Sequence, residues 1–252
     1  MEIVKKSIKQ ILEFVFLRLA SASRAVAGLA HFGLYVVQWG MKPTPNWFDH
    51  NIDVYWKLWK KSDSSWLERG VLNSLCLAGG NALELTCGDG FYTSRFYAAK
   101  LNSMVACDRD PKAIESARKY SRASNVSYVV ADILTEIPSG KFHNVVWDFG
   151  FPWCNHFSSP QVDAIVAQCK DRLTESGIFS GYLALLSQNG MYAQNEHATE
   201  IDFKDISALK TYLLRYFSHV SVIETSSPGR HNAYFFASNH AVPFADGWPH
   251  KV

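Results

Sequence analysis

The chain has 252 residues, of which 48% are hydrophobic and 14% aromatic, enough for the core of one large α/β domain or two small ones. Its 25 Lys and Arg residues nearly balance its 23 Asp and Glu residues, which argues against a nucleic-acid partner, because such proteins concentrate basic charge. The five cysteines form no C-x-x-C pair and show no metal-ligand spacing with nearby histidines, so we expect free thiols, no bound metal and a cytoplasmic location.

Residues 1–70 are predicted to form a helical cap or lid. The start of this segment is apolar but is interrupted by Arg18 and Arg24, and its longest stretch without Lys, Arg, Asp or Glu is 25–41. That stretch is shorter than the roughly 20 residues that a membrane-spanning helix needs. The remainder of the chain, 71–252, is predicted to form the sheet domain.

The N-terminal helices have two further interpretations. Their basic residues could hold them on an anionic membrane surface, with apolar side chains inserted among the lipids. Alternatively, the same apolar side chains form a face that docks on the sheet domain or joins two copies as a homodimer, and we favour this second interpretation. The residues concerned are Lys5, Lys6, Lys9 and Arg18, with Ile8, Ile11, Leu12, Phe14, Val15 and Phe16.

From Asn81 onward, short apolar runs alternate with helical patterns, which is typical of a parallel sheet whose strands are connected by helices. We therefore predict an α/β fold: a Rossmann-like, seven-stranded sheet with helices on both faces. The predicted strands are Ala82–Leu85, Met104–Cys107, Val126–Val130, Asn144–Trp147, Ile178–Tyr182, Val220–Glu224 and Ala233–Ala237.

Helix starts between these strands are marked by a capping side chain followed by proline. Asp110-Pro111 and Ser159-Pro160 both have this pattern, which suits the first turn of a helix. Asp110-Pro111 predicts a helix over Pro111–Ser121. Ser159-Pro160 predicts a helix with one apolar stripe, formed by Val162, Ile165, Val166, Cys169 and Leu173. The spacing of apolar residues predicts a third helix over Ile206–Phe217.

The last two predicted strands are joined by a short link, Thr225–His231, which has Pro228-Gly229 at its turn. A link of this length predicts two strands that are antiparallel to each other or nearly adjacent in the sheet. We expect the reversed strand to close the edge of the sheet, whereas doubly wound dehydrogenases usually keep an all-parallel sheet.

A glycine loop follows the first predicted strand. Gly88 and Gly90 allow the backbone to approach a ligand closely, and Asp108 lies 20 residues beyond Gly88, where a carboxylate can accept both ribose hydroxyl protons. A nucleotide-type ligand is therefore indicated. Thr93 replaces the third glycine of a dinucleotide fingerprint and no G-K-[ST] follows, so hydride transfer and phosphoryl transfer are both disfavoured.

Three successive segments resemble motifs of class I, S-adenosylmethionine-dependent methyltransferases: E-L-T-C-G-D-G-F-Y-T, V-A-C-D-R-D-P-K-A-I-E-S-A-R and Y-V-V-A-D-I. In this family an antiparallel strand ends the sheet. The resemblance implies that Asp108 holds the ribose, Arg109 flanks the adenine, Asp132 meets the adenine amino group and Ile133 offers backbone contacts. It also implies that the methionine part of the cofactor is lined by Glu84, Thr86, Cys87, Gly88, Asp89 and Gly90.

The resemblance extends from about Ala82 to Ser238, and S-G-Y and R-H-N-A-Y-F-F-A-S are similar to a bacterial subgroup of small-molecule methyltransferases. Many members of the family have glycine at the position of Thr86, which implies a less tight first turn here. Upstream, W-F-D-H-N-I-D-V-Y resembles an aromatic segment that closes over the cofactor in related enzymes. Tyr55 is the candidate for that contact, with packing in the core as the alternative.

The methyl acceptor is predicted to bind at the loop after the fourth strand, because ligands of open α/β sheets lie beyond the carboxyl ends of the strands. In this loop His156 is the candidate base, with a packing or capping role as the alternative. Asp148 could reach the sulfonium or the acceptor, or could cap backbone donors. Glu196-His197 and His231 are further polar candidates.

The sequence therefore predicts transfer of a methyl group to a hydroxyl, amine or carboxyl group of a small molecule. The loop lacks the N-P-P-[YFW] run of enzymes that methylate the amino groups of nucleobases and glutamine, and its aromatic residues favour an apolar pocket. The alternative is a methyltransferase-like binding module that keeps the fold without turnover.

Overall fold

The computed structural model describes residues 8, 11–12, 14–16, 65–150, 153, 156–185, 203, 205–227 and 230–243. Apart from helical residues near the N-terminus, these residues form one sheet and its covering helices. In chain order the elements are α1 Ser65–Asn73, β1 Asn81–Leu85, a π-helix Thr93–Tyr97 continued by a 3-10 helix Ala98–Lys100, β2 Ser103–Asp108, α2 Pro111–Tyr120, β3 Val126–Val130, β4 Phe142–Asp148, α3 Ser159–Arg172, β5 Leu173–Leu185, α4 Ile206–Leu213, β6 His219–Ser227 and β7 Arg230–Ser238.

The seven strands form a single sheet in the order β3-β2-β1-β4-β5-β7-β6. Strands β1 to β5 are parallel, and β7 is antiparallel to both β5 and β6. The predicted Rossmann-like sheet with an antiparallel last strand is confirmed.

The position of the reversed strand differs from the prediction, because β7 lies inside the sheet and β6 forms its edge. Every residue of β7 from Asn232 to Ser238 is buried, and Phe235 and Phe236 have no exposed surface. A strand buried along its length and on both faces is stabilised by a neighbour on each side, whereas an edge strand leaves one row of backbone groups unpaired.

Two predicted helices end earlier than expected. The prediction placed Leu173 on the apolar stripe of α3, but the helix ends at Arg172 and Leu173 has an extended backbone that pairs with Phe142. Strand β5 therefore begins five residues before the predicted Ile178. Helix α4 ends at Leu213, and the residues up to Phe217 form turns.

Helices cover both faces of the sheet, as predicted. On one face, Leu83, Leu85 and Trp147 pack with Val162 and Leu209 of α3 and α4. On the other face, alternate residues of the same strands pack with the π-helix and α2, as a period of two along each strand requires. The residues on this second face include Ala82, Met104 and Val146 with Tyr97, and Ala106 with Ile114 and Ala117.

Helix α1 crosses the predicted boundary between 70 and 71, and it is bonded to the sheet. Glu68 accepts hydrogen bonds from the hydroxyls of Thr225 on β6 and Tyr234 on β7, the latter at 3.0 Å. None of the helices in the described ranges is both long and apolar enough to cross a membrane. Most of the predicted cap, including Tyr55, lies outside the described residues.

Candidate active site

A cavity of about 240 Å³ lies at the carboxyl ends of β1 to β4. Because these four strands are neighbours in the sheet, residues from four separate parts of the sequence meet there. The lining residues are Thr86, Gly88, Asp108, Arg109, Ala131, Asp132, Ile133, Phe149, His156 and Phe157. The cavity thus brings together six of the predicted cofactor residues and the candidate base His156.

The glycine loop turns sharply between β1 and the helical turn that follows. Thr86, Gly88 and Gly90 have φ angles of 56°, 56° and 71°, in the left-handed region. Glycine adopts this region readily, but threonine is strained there. The Thr86 hydroxyl donates a hydrogen bond of 2.6 Å to the carbonyl of Leu85. The sequence led us to expect a less tight first turn, because threonine stands where many members of the family have glycine. In the structure Thr86 nevertheless adopts the left-handed conformation that glycine would adopt.

Asp108 connects the glycine loop to the end of β2. One carboxylate oxygen accepts the Gly88 amide at 3.0 Å, and the other accepts the Asp110 amide at 2.9 Å. Burial raises the pKa of Asp108 above its usual value, and these two amides oppose that shift. The carboxylate is held rigidly at the cavity wall, next to the point where the loop backbone is exposed.

Asp132 occupies the equivalent place after β3. Its Oδ1 atom accepts the Leu134 amide at 3.0 Å, and its carbonyl accepts the amides of Thr135 and Glu136 at 2.9 Å. These bonds form a turn that directs the residues 131–133 toward the cavity. The carboxylates of Asp108 and Asp132 thus lie on one wall, at the ends of adjacent strands.

Glu84 lies beneath the loop and does not line the cavity. Its side chain is 2% exposed, and its Oε2 atom accepts a 2.6 Å hydrogen bond from the Thr93 hydroxyl. Burial raises the pKa of Glu84 to about 8, although the Thr93 bond opposes the shift. Thr93 therefore supports this carboxyl group from the position where a dinucleotide-binding loop has its third glycine.

Two other predicted loop residues also have structural contacts. Cys87 is buried, and its amide donates to the carbonyl of Cys107 at 2.9 Å. Asp89 accepts the Phe91 amide at 3.2 Å, at the start of the helical turn. The contacts of Glu84, Cys87 and Asp89 with a cofactor remain predictions.

The side of the cavity nearest β4 is aromatic. Phe149 and His156 meet edge to face with ring centroids 5.1 Å apart, and Phe157 lies 5.1 Å from Phe149. Partial burial lowers the pKa of His156 below its usual value, and the positive charge of Arg109 lowers it further. The imidazole is consequently neutral near pH 7, the form in which it can accept a proton.

Asp148 points away from the cavity into a buried cluster. Arg69 contacts its Oδ1 atom through Nε at 2.6 Å and through a terminal nitrogen at 2.5 Å, and Tyr97 donates to Oδ2 at 3.0 Å. The Asp148 side chain is only 2% exposed. Its predicted contact with the sulfonium or acceptor remains untested, and its observed partners are protein groups.

Arg69 was not found from the sequence. Its Cζ atom lies 4.6 Å from the ring centroids of both Tyr92 and Tyr182, and Asp148 balances its charge. No sequence spacing relates this helix residue to a carboxylate 79 positions later. A lone arginine on an otherwise amphipathic helix gives no signal for such a partner.

Among the remaining candidates, only His231 is a described residue, and it does not line the cavity. His231 lies on β7 with its ring 3.3 Å from the Glu224 carboxylate, and both side chains are exposed. Glu196-His197 lies outside the described residues, as does the aromatic segment with Tyr55. Within the described ranges, no group of three or more His, Cys, Asp and Glu side chains is arranged to hold a metal.

Comparison with known proteins identifies the same region. Residues 82–177 match a family model described as a methyltransferase domain. No curated protein sequence matches the chain.

Several solved structures have a similar fold. The DhpI-SAM-HEP complex is 16% identical, covering 85% of this chain and 98% of that one, with a TM-score of 0.53. The N-methyltransferase NodS from Bradyrhizobium japonicum WM9, in complex with S-adenosyl-L-homocysteine, is 17% identical, covering 79% of this chain and 93% of that one, with a TM-score of 0.51. The S-adenosylmethionine-dependent methyltransferase SibL is 16% identical, covering 81% of this chain and 61% of that one, with a TM-score of 0.53. These similarities support the fold.

Proposed function

We propose that this chain is a class I, S-adenosylmethionine-dependent methyltransferase, and that it methylates a hydroxyl, amine or carboxyl group of a small molecule. The observation that carries the proposal is that Gly88, Asp108, Asp132 and His156 line the same cavity. Two of the similar structures were solved with S-adenosylmethionine or S-adenosylhomocysteine, which supports the same type of ligand for this cavity.

The residues of the cavity wall suit the nucleoside part of this cofactor. An ionised carboxylate has about four acceptor positions, and the two backbone amides occupy only part of that capacity at Asp108. Asp108 can therefore accept ribose hydroxyls while it holds the loop. Asp132 lies at the next strand end, where its carboxylate can meet the amino group of adenine, and Gly88 has no side chain to obstruct the cofactor.

When bound, S-adenosylmethionine supplies a methyl group that is already activated by its sulfonium. The main task of the protein is then to align the acceptor with that methyl group, and such positioning can contribute roughly 7 to 11 kcal/mol to the lowering of the barrier. Phe149 and Phe157 provide apolar walls that exclude water from this side of the cavity.

His156 is the proposed base for an acceptor that must lose a proton. Its ring lines the cavity, and its lowered pKa keeps the imidazole neutral near pH 7. A well-placed base contributes about 10²- to 10⁴-fold to the rate for a hydroxyl or ammonium acceptor. A carboxylate acceptor is already ionised and needs no base.

Calorimetric titration with S-adenosylmethionine and S-adenosylhomocysteine tests the cofactor site. We expect wild-type binding, and we expect Asp108→Asn to weaken it more than about tenfold, or about 1.4 kcal/mol, because the amide replaces an acceptor oxygen with a donor. The control is Asp163→Asn on α3, whose side chain contacts Tyr212 and Tyr216 outside the cavity. Absence of binding to the wild-type chain would refute the proposal.

The acceptor can be sought with S-adenosylmethionine labelled on its methyl group and added with metabolite extracts. Transfer of label to a small molecule by the wild-type chain, but not by the Asp108→Asn variant, is the expected result. Cofactor binding without transfer to any fraction would instead favour the binding-module alternative.

A further inference from the structure

The buried cluster around Arg69 adjoins the cavity without lining it. It contains the guanidinium of Arg69, the carboxylate of Asp148 and the hydroxyl of Tyr97. The Arg69 side chain is 21% exposed and that of Asp148 only 2%. Desolvating such a pair offsets much of its attraction, so a buried ion pair is weak evidence for a role in stability alone.

The contacts of Arg69 converge on the start of the loop that follows β4. Asp148 is the last residue of β4, and Gly150 comes two residues later with a φ of 80°. A Cβ atom added at Gly150 would lie 2.8 Å from a terminal nitrogen of Arg69, so the backbone of the loop lies directly against the guanidinium. A side chain at this position would displace either the loop or the arginine.

Phe149, which lies between Asp148 and Gly150 in the sequence, connects the cluster to the cavity. The Phe149 amide donates to the carbonyl of Tyr182 at 3.1 Å, and the ring of Tyr182 contacts Arg69. The Phe149 ring in turn meets His156 at 5.1 Å, and both rings line the cavity. A continuous series of contacts therefore runs from Arg69 through Asp148, Gly150 and Phe149 to His156.

We propose that Arg69 is a positioning residue, which holds the loop after β4 so that Phe149 and His156 face the cofactor cavity. This inference rests on the proposed function. The planar guanidinium suits the role because it can bond to a carboxylate at its edge while its face lies against aromatic rings, which the ammonium of lysine cannot do. Since Arg69 belongs to α1, it also fixes the helix that leads out of the N-terminal segment against this loop.

The test is the double variant Arg69→Met/Asp148→Asn in the full chain. Removing both charges avoids leaving one of them buried and unpaired, and asparagine can still accept the hydrogen bond from Tyr97. We expect its melting temperature to stay within a few degrees of the wild type. We expect its affinity for S-adenosylhomocysteine to fall at least tenfold, and hydrogen exchange at the Phe149 amide to become at least tenfold faster.

The matched control is Arg215→Met/Asp163→Asn, which removes another Arg–Asp pair beside two tyrosines. In that pair Arg215 lies 3.7 Å from Asp163 and contacts the rings of Tyr212 and Tyr216, outside the cavity. Its affinity for S-adenosylhomocysteine and its exchange at Phe149 should equal those of the wild type.

In a second variant, Arg69→Lys, the lysine ammonium still balances the buried charge of Asp148. This variant provides the test if the double variant does not fold. It should show the same two changes with smaller amplitude, severalfold in each. Wild-type affinity and wild-type exchange at Phe149 in a folded Arg69 variant would overturn the positioning role. Failure of the wild-type chain itself to bind S-adenosylhomocysteine would instead count against the proposed function.

Discussion

Replacing Glu84 with glutamine should change how the stability of the protein depends on pH. Glu84 is 2% exposed and accepts a hydrogen bond from Thr93, and burial raises its pKa from 4.5 to about 8. Glutamine has nearly the same shape, carries no charge at any pH, and retains a carbonyl oxygen for the Thr93 hydroxyl. The substitution therefore removes the titration while it keeps the hydrogen bond.

The sign follows from proton uptake on folding. Between about pH 4.5 and pH 8 the folded state keeps Glu84 protonated while the unfolded chain has lost that proton, so the free energy of unfolding decreases as the pH rises. Each pKa unit corresponds to about 1.4 kcal/mol, so the complete effect of Glu84 is about 5 kcal/mol above pH 8. Roughly 3 kcal/mol of this effect develops between about pH 5 and pH 8.

Urea unfolding, followed by tryptophan fluorescence at several pH values, measures this difference. Glu84→Gln should gain roughly 3 kcal/mol relative to the wild type between about pH 5 and pH 8, and any constant offset from the new amide cancels in the comparison. Glu175→Gln, at an exposed position in β5, is the control and should keep the wild-type slope. Parallel pH profiles for the wild type and Glu84→Gln would show that Glu84 does not fold in its protonated form.

Three further substitutions test the core and the candidate base. Trp153→Ala should lower the free energy of unfolding in urea by about 3 to 5 kcal/mol, because Trp153 is 1% exposed and stacks 4.4 Å from Trp147; a loss below about 1 kcal/mol would contradict this packing. Gly181→Ala should lower it by about 1 to 3 kcal/mol in the same assay, since the new methyl group would meet the Trp147 carbonyl, and unchanged stability would contradict that close approach. The third substitution, His156→Gln, can be tested once an acceptor that must lose a proton is identified, and it should lower kcat by about 10²- to 10⁴-fold. The basic group in the wild-type pH–rate profile should titrate below pH 6.5. An unchanged kcat would exclude His156 as the base.

The strands and the side of the cavity that holds Asp108 and Asp132 were predictable because they depend on local patterns. Short apolar runs that alternate with helical patterns mark the strands, and glycines after a strand mark a sharp turn. Asp108 and Asp132 were predicted as site residues from their motifs, and both line the cavity because the carboxyl ends of parallel strands meet at one edge of the sheet.

The helix ends and the place of the reversed strand depended on contacts beyond the local pattern. Leu173 continues an apolar helical stripe in the sequence, but it pairs with Phe142 on the neighbouring strand. The two final strands were expected to be antiparallel to each other or nearly adjacent in the sheet. Which of the two strands also pairs with β5 depends on which strand has side chains that are buried on both faces of the sheet. These are the side chains of β7, and β7 therefore lies inside the sheet, between β5 and β6.

The amino-acid sequence by itself determined the fold class, the glycine loop and the position of Asp108 after it, because apolar runs, turn residues and their spacing along the chain mark strands and turns; Asp132 was indicated by the resemblance of its motif. Only the tertiary structure decided that Glu84 is buried beneath the loop and that Asp148 pairs with Arg69, 79 residues earlier in the chain. The physical reason is that burial and the pairing of charges depend on which distant side chains share a space without water. A polar residue at the end of a strand can face either the ligand or such a buried partner, and its local sequence is the same in both cases.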